Sequence, residues 1–231
     1  MAPNQDFLQA AFHDPQAVAQ YAQSPRLAVP GFADMHRMAT LLLAERVEAQ
    51  GRILVVGAGG GLELKAFAEA VPSWRFDGVD PSPAMLQLAL QTLGPLASRA
   101  TLHEGKVDVA PQGPFDAAAC ILTMHFADLD ERKQMLAAIC RRLKPGAPFI
   151  AVHLSFPQAD GARDAWLSRY AAYVVSSGVE PEKASQAQKA IDSYLTILDP
   201  TQEESLLREA GFSDVNLFYA GFAFKGWVAY A

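Results

Sequence analysis

Four glycines occur at positions 57, 59, 60 and 61, directly after the aliphatic residues 53–56. A strand that ends there and leads into a helix lets backbone amides and the positive helix end approach a ligand, because no side chains intervene. A tight turn without a ligand is the alternative, although such a turn does not need so many glycines. The spacing is GxGxG, whereas a dinucleotide-binding loop requires glycine at the position of Leu62. The cofactor-binding residues predicted in this loop are Gly57, Ala58, Gly59 and Gly61.

Asp80 is the second residue whose position suggests binding chemistry. It follows Gly78 and Val79 at the end of a predicted strand, roughly 20 residues after the first glycine, where an acid accepts hydrogen bonds from a ribose diol. Alternatively, Asp80 caps the helix that starts at "PSPAML". Pro81 and Met85 then lie beside the bound group, with Met85 packed on an adenine face or, alternatively, in the core.

Short aliphatic runs and helical patterns alternate around these residues, which favours a doubly wound, mostly parallel α/β sheet. A helix followed by two strands that turn near Gly221 ends the chain, and this antiparallel hairpin is unusual for such a sheet. We expect one domain over residues 1–231, with a helical cap at 1–50, a cofactor-binding core at 51–156, a helical insertion at 157–195 and a C-terminal helix and hairpin at 196–231. The predicted helices are 4–23, 31–49, 60–70, 82–93, 128–143 and 201–210, and the predicted strands before the hairpin are 52–57, 75–80, 100–104, 116–122 and 148–154.

The composition excludes several classes of protein. Apolar residues make up 51% of the chain, as expected for a globular protein, and no run approaches the roughly 20 apolar residues of a membrane-spanning helix. The first residues lack a signal-peptide pattern, so a cytoplasmic location is expected. Cys120 and Cys140 have no metal-ligand spacing, and no metal site is predicted. A net charge of −6 disfavours nucleic acid as a partner and favours a small molecule.

Several motifs together resemble the class I S-adenosylmethionine-dependent methyltransferases. They are "VVGAGGG", "GVDPSPAML", "FDAAACILTMHF" and "CRRLKPGAPFI", followed by the terminal hairpin. The resemblance implies a seven-stranded sheet and S-adenosyl-L-methionine as cofactor. More narrowly, "VPGFADMHRMATLLLAERV" and "LLREAGFSDVNLFYAGFAF" are similar to tRNA uridine carboxymethyltransferases, which use a carboxylated form of the cofactor and associate into dimers. A homodimer is expected on that ground.

The resemblance also identifies departures from the family pattern. Val55 stands where the superfamily often has an acid for the methionine amino group, and Lys106 stands where an adenine-contacting acid is expected. The Val107 amide carries over as an adenine contact. The narrow family has tyrosine at the position of Phe32 and asparagine at that of Ile121. That family also has an arginine that binds the extra carboxylate of its cofactor. In the corresponding stretch of this chain the nearest cation is Lys189, and a lysine lacks the planar bidentate fork of arginine.

Two histidines lie where an acceptor would bind, at the carboxyl ends of the fourth and fifth strands. Methyl transfer requires an aligned nucleophile, and a base is needed only when the acceptor carries a proton that must leave. His125 follows the fourth strand and is the candidate catalytic residue, with a structural hydrogen-bonding role as the alternative. His153 lies at the end of the fifth strand, where local hydrogen bonding is again the alternative.

Aromatic residues of the insertion complete the candidate acceptor pocket. Trp166, Tyr170 and Tyr173 share one helical face, and Tyr194 follows later. The face either walls an apolar pocket or packs on the domain. The function predicted from sequence is methyl transfer to a small acceptor; the alternatives are a tRNA wobble-uridine carboxymethyltransferase and a non-catalytic protein with the same fold.

Overall fold

The computed structural model describes residues 23–159 and 161–231, together with Phe12, Val18 and Tyr21. Within these residues the strands form one seven-stranded sheet in the order β3-β2-β1-β4-β5-β7-β6. All neighbours are parallel except β7, which runs antiparallel to β5 and β6. The predicted fold class is confirmed. The strands are β1 Arg52–Val56, β2 Arg75–Asp80, β3 Ala100–Glu104, β4 Ala117–Ile121, β5 Pro148–Leu154, β6 Ser213–Gly221 and β7 Phe224–Tyr230.

Helices cover both faces of this sheet. The α-helices are α1 Ser24–Ala28, α2 Phe32–Ala44, α3 Leu62–Ala70, α4 Pro83–Leu93, α5 Leu129–Cys140, α6 Ala162–Ser176, α7 Pro181–Tyr194 and α8 Pro200–Glu209, and short 3-10 helices lie at Gly94–Arg99, Val107–Val109 and Met124–Phe126. Because each face is covered, β4 and β5 are buried along their whole length, as their continuous apolar sequences require.

Local sequence explains where several helices begin. Ser82 is the N-cap of α4, where its side chain accepts a hydrogen bond from the Met85 amide, and Pro83 follows it. Asp128 and Glu131 form a reciprocal capping box at the start of α5. The alternative that Asp80 caps α4 is therefore wrong, because Ser82 occupies the cap position.

Three predicted helix boundaries differ from the structure by two residues or more. The helix predicted at 31–49 ends at Ala44, and the one predicted at 128–143 ends at Cys140, before a turn. The one predicted at 60–70 begins at Leu62, because Gly60 and Gly61 have left-handed backbones. Of the helix predicted at 4–23, the structure describes Phe12, Val18 and Tyr21, which are helical, and Gln23, which lies in a turn; the rest lies outside the described residues. Among the described residues, no helix is both long and apolar enough to cross a lipid bilayer.

The strand order reverses between β1 and β4. In doubly wound sheets, ligands bind at the carboxyl ends of the strands on either side of such a reversal. The glycines follow β1, Asp80 ends β2 and Ile121 ends β4. The topology thus brings the residues predicted from spacing to one edge of the sheet.

Candidate active site

The glycine loop at residues 57–61 is shaped both by its backbone and by close neighbours. Gly57 and Gly61 have φ of 76° and 69°. A Cβ atom added to Gly59 would lie 2.5 Å from Asp80 Oδ2, and one added to Gly61 would lie 2.8 Å from Ala89 Cα. Side chains are therefore excluded here by packing against β2 and α4, which brings the loop amides to the crevice.

Asp80 connects this loop to the start of α4. Its Oδ2 accepts a hydrogen bond from the Gly59 amide at 3.0 Å, and its Oδ1 accepts one from the Ser82 amide at 2.9 Å. These two bonds fix the carboxylate at the end of β2. A carboxylate held in this way is preorganised to accept hydrogen bonds from a ligand hydroxyl.

Tyr21 and Phe12 lie over the same edge of the sheet. A Cβ atom at Gly60 would approach the Tyr21 ring to 2.5 Å, and Ser82 Oγ donates a hydrogen bond to the Phe12 carbonyl at 2.7 Å. The Phe12 ring meets Phe126 edge to face at 5.2 Å between centroids. Residues of the predicted N-terminal cap thus contact the glycine loop, α4 and the loop after β4, although sequence reasoning did not single them out.

The other predicted cofactor residues differ in exposure. Ala58, Met85, Val107, Ile121 and Phe32 are buried, and Pro81 is exposed. Lys106 is exposed and forms an ion pair with Glu131 at 2.6 Å, so its ammonium group has a partner on α5. The Phe32 ring packs on the His36 ring within α2.

The loop after β4 contains a backbone feature that the sequence did not reveal. Leu122 has φ of 58°, a left-handed conformation that is rare outside glycine. The residue that follows, Thr123, turns its side chain towards the glycine loop, where a Cβ at Gly57 would lie 2.0 Å from its Oγ1. Such strain is concentrated at functional sites in proteins.

His125 is buried beside β5. Its Nδ1 accepts a hydrogen bond from the Leu154 amide at 3.3 Å, and its carbonyl accepts one from the Thr196 amide. Burial lowers the pKa of His125 well below its usual range, and His153 and Arg132 add to the shift. The placement matches the structural alternative, and a role in the acceptor pocket stays a prediction.

His153 faces the core on β5. Its Nε2 lies 3.1 Å from Glu203 Oε1, and its ring packs on Trp227. Glu203 also pairs with the buried Arg132. His153 therefore belongs to a buried charged cluster between β5, α5 and α8.

The aromatic face of α6 packs largely on the C-terminal hairpin. Tyr170 contacts Phe224 and Tyr173 contacts Phe222, with ring centroids 6.2 and 5.7 Å apart. Trp166 stacks on Phe156. These contacts agree with the alternative in which the face packs on the domain.

The end of α7 returns to the crevice. Tyr194 is its last residue, and the Thr196 amide then binds the carbonyl of His125 at 3.0 Å. Lys189, five residues earlier on the same helix, is exposed. The segment after Tyr194 therefore borders the carboxyl ends of β4 and β5.

The comparisons with known proteins agree with this architecture. Residues 53–146 match the family described as "Methyltransferase domain". A carboxy-S-adenosyl-L-methionine synthase of Chromohalobacter salexigens is 26% identical over 225 residues, covering 94% of this chain and 82% of that protein. The enzyme of the same name from Dichelobacter nodosus is 23% identical over 98% of this chain and 99% of its own length.

Solved structures show the same fold. Human N-acetylserotonin methyltransferase in complex with S-adenosylmethionine matches with a TM-score of 0.66 at 15% identity. The match covers 99% of this chain and 60% of the human chain, so this chain spans about three fifths of that protein. An S-adenosylmethionine-dependent methyltransferase from Aquifex aeolicus matches with a TM-score of 0.62 at 16% identity, over 94% and 98% of the two chains. The sheet order and the glycine loop agree with these matches: residues 53–146 match a methyltransferase domain, and the whole chain has the fold of S-adenosylmethionine-dependent methyltransferases.

Proposed function

We propose that this protein transfers the methyl group of S-adenosylmethionine to a small-molecule acceptor at the carboxyl edge of β1, β2 and β4. The observation that carries the proposal is the Asp80 carboxylate, which the Gly59 and Ser82 amides hold at the end of β2, one strand away from the reversal between β1 and β4. Bound S-adenosylmethionine supplies an electrophilic methyl group, and the chain's own residues bind, orient and exclude water.

We assign the cofactor-binding roles by position. The loop amides of residues 57–61 approach the ligand, Asp80 accepts hydrogen bonds from the ribose, and Met85 and Val107 lie where the adenine would pack. Ile121 borders the crevice from β4. The glycines fit this role because their added Cβ atoms would collide with neighbours.

A small acceptor is favoured by the two segments that border this edge. Phe12 packs on Phe126 on one side, and Thr196 binds the His125 carbonyl on the other. His125 and Tyr194 are therefore proposed to line the acceptor space. With a lowered pKa, the His125 imidazole is neutral and a weak proton acceptor at neutral pH, so we propose that it positions the acceptor instead of removing a proton.

Nucleic acid is not the proposed acceptor. The densest basic group is Arg141, Arg142 and Lys144. Arg142 is buried and donates to backbone carbonyls, and Lys144 pairs with Asp116 at 2.6 Å. Two of these three cations thus have structural partners, and the net charge of −6 opposes binding to phosphates.

Synthesis of carboxy-S-adenosylmethionine is a second candidate, favoured by the names of relatives that align over nearly the whole chain. A carboxylated cofactor brings an extra negative charge, whose burial without a partner costs several kcal/mol. Lys189 is the nearest candidate partner by sequence, and it is exposed on α7. Because lysine stands where the resemblance to the tRNA uridine carboxymethyltransferases implies a bidentate arginine, we favour plain S-adenosylmethionine over its carboxylated form as the tightly bound ligand.

A melting comparison tests this choice. At about 100 times its dissociation constant, a ligand stabilises a protein by roughly 2.7 kcal/mol, or about 5–10 °C for a domain of this size. We expect S-adenosylmethionine to raise the melting temperature more than equal concentrations of the carboxylated form. A larger shift with the carboxylated form, lost in Lys189→Ala, would instead support the second candidate. Mass spectrometry of ligand retained through purification gives an independent result.

The variant Asp80→Ala is expected to weaken S-adenosylmethionine binding roughly 10- to 150-fold, because the ligand loses its hydrogen bonds to a charged group. Isothermal calorimetry measures the effect. Asp116→Ala is the matched control, because Asp116 also accepts a backbone hydrogen bond, from the Arg52 amide at 2.8 Å, but at the opposite edge of the sheet. Equal affinity in Asp80→Ala and the parent would remove Asp80 from the site.

A further inference from the structure

Glu63 is a buried carboxyl group to which the proposed function assigns no role. It lies in the first turn of α3, directly after the glycine loop, and is 5% exposed. Its carboxyl accepts a hydrogen bond from its own backbone amide. Within residues 23–159 and 161–231 it forms no ion pair. A buried acid in this situation lacks the cation that would normally compensate its charge.

Three titratable groups surround this carboxyl. Glu63 interacts electrostatically with Asp80 at the end of β2, with Cys120 near the end of β4 and with Tyr21 over the glycine loop. These partners come from three elements that meet at the crevice. Glu63 therefore lies near Asp80 and directly after the glycine loop, both of which belong to the proposed cofactor site.

The surroundings of Glu63 favour its neutral form while no cation is bound. Burial raises the pKa of Glu63 to about 8, and the charge of Asp80 adds to the shift, although the Glu63 amide opposes it. A cation that donates hydrogen bonds would reverse this preference, because it supplies both charge and donors to the carboxylate.

We propose that the carboxylate of Glu63 binds the α-ammonium group of S-adenosylmethionine. The inference rests on the proposed cofactor site. Val55, on β1, is buried and apolar, and it offers the ammonium no partner. The ammonium is the better match of the cofactor's two positive groups, because it carries N–H donors and the sulfonium carries none.

Measuring the binding of three ligands to the variant Glu63→Gln shows which of the cofactor's two positive groups interacts with Glu63. S-adenosylhomocysteine keeps the ammonium without the sulfonium charge, and 5′-methylthioadenosine has neither. At pH 8 we expect the variant to bind S-adenosylmethionine and S-adenosylhomocysteine roughly 10- to 100-fold more weakly, and 5′-methylthioadenosine about equally. Loss confined to S-adenosylmethionine would make the sulfonium the partner and overturn the proposal. Glu69→Gln, which removes an exposed carboxylate paired with Lys65 on the same helix, is the matched control.

Proton release provides a second readout. At pH 6.5 the free protein holds Glu63 protonated, so binding to its ionised form releases close to one proton per cofactor. Calorimetry in two buffers of different ionisation enthalpy measures this release, which Glu63→Gln should abolish. Unchanged proton release and unchanged affinity in the variant would overturn the role of Glu63 but would leave the proposed function standing. Failure of the parent protein to bind S-adenosylmethionine at all would overturn the proposed function as well.

The stability of the variant separates binding from folding. Glutamine has nearly the shape of a protonated glutamate, so Glu63→Gln should melt close to the parent at pH 6.5. Because the folded pKa of Glu63 is raised, the ligand-free parent loses stability as the pH rises from about 4.5 towards 8, and the variant should lack this loss. A variant that melts far below the parent at pH 6.5 would assign Glu63 a structural role and overturn the proposal.

Discussion

The variant Arg132→Met is expected to lower the free energy of unfolding by about 3–5 kcal/mol, the cost of leaving one charge of a buried pair without its partner. Arg132 is 0% exposed, and its guanidinium pairs with the buried Glu203. It also donates to the carbonyls of Met124 and Thr196, at 2.9 and 2.6 Å. The substitution therefore removes a link between α5, the loop after β4 and the segment after α7. Thermal melting should show a decrease of roughly 6–20 °C.

A surface pair provides the control for this prediction. Arg208 pairs with Glu204 at 3.1 Å on the exposed face of α8, and Arg208→Met should change the free energy of unfolding by less than about 0.5 kcal/mol. Adding Glu203→Leu to Arg132→Met should restore part of the lost stability, because it removes the uncompensated acid. Similar melting temperatures for Arg132→Met and Arg208→Met would contradict the assignment of Arg132 as a buried link.

The same cluster predicts how acid unfolds the protein. Burial alone raises the pKa of Glu203, but His153 and Arg132 outweigh it and hold that pKa below its usual value. The stability that ionised Glu203 contributes is therefore present above its unfolded pKa, about 4.5, and is lost as the pH falls through the lower folded value. In Arg132→Met the folded pKa should rise, so acid unfolding followed by circular dichroism should begin at a higher pH than in the parent.

The sequence predicted the sheet well because its strands are short, continuous apolar runs separated by helical patterns. Residues 117–121 and 148–154 are buried throughout, as such runs imply for parallel strands covered on both faces. Helix ends were less predictable. Residues 141–143 have a helical pattern, yet 141 and 142 form a turn and Leu143 forms a β-bridge with Phe115, whose amide also bonds to the Arg142 carbonyl. Tertiary contacts of this kind override local propensity.

Site residues with a local signature were the ones that sequence could place. Glycine density and the acid at the end of β2 predicted the candidate crevice, since both depend on spacing along one chain segment. Glu63, Tyr21 and Leu122 were missed. An acid in the first turn of a helix is ordinary by its sequence, and only burial beside Asp80 makes Glu63 unusual. The left-handed backbone of Leu122 has no signature in residue type.

The second large effect is expected at Gly61. Gly61→Ala should lower the free energy of unfolding by about 2–5 kcal/mol, because two costs add. The left-handed backbone at this position, with φ of 69°, costs an alanine about 1–2 kcal/mol. Its Cβ would also lie 2.8 Å from Cα and 3.0 Å from the carbonyl oxygen of Ala89, which is buried on α4. Backbone atoms cannot rotate away as a side chain does, so the loop and α4 must separate, at about 1–3 kcal/mol.

Gly161→Ala separates these two costs and shows whether the cofactor depends on the position of the loop. Gly161 has φ of 73°, and among the described residues outside its chain neighbours no atom lies within 4 Å of an added Cβ, so its substitution should cost only the backbone term. Thermal melting should rank Gly61→Ala below Gly161→Ala, and equal losses would show that packing against Ala89 contributes nothing.

Calorimetry at a temperature where both variants are folded should then give at least tenfold weaker S-adenosylmethionine binding for Gly61→Ala alone, because moving α4 also displaces the Ser82 amide that holds Asp80. Parent-like affinity in Gly61→Ala would mean that the cofactor does not depend on the placement of this loop, which would remove the loop from the proposed site.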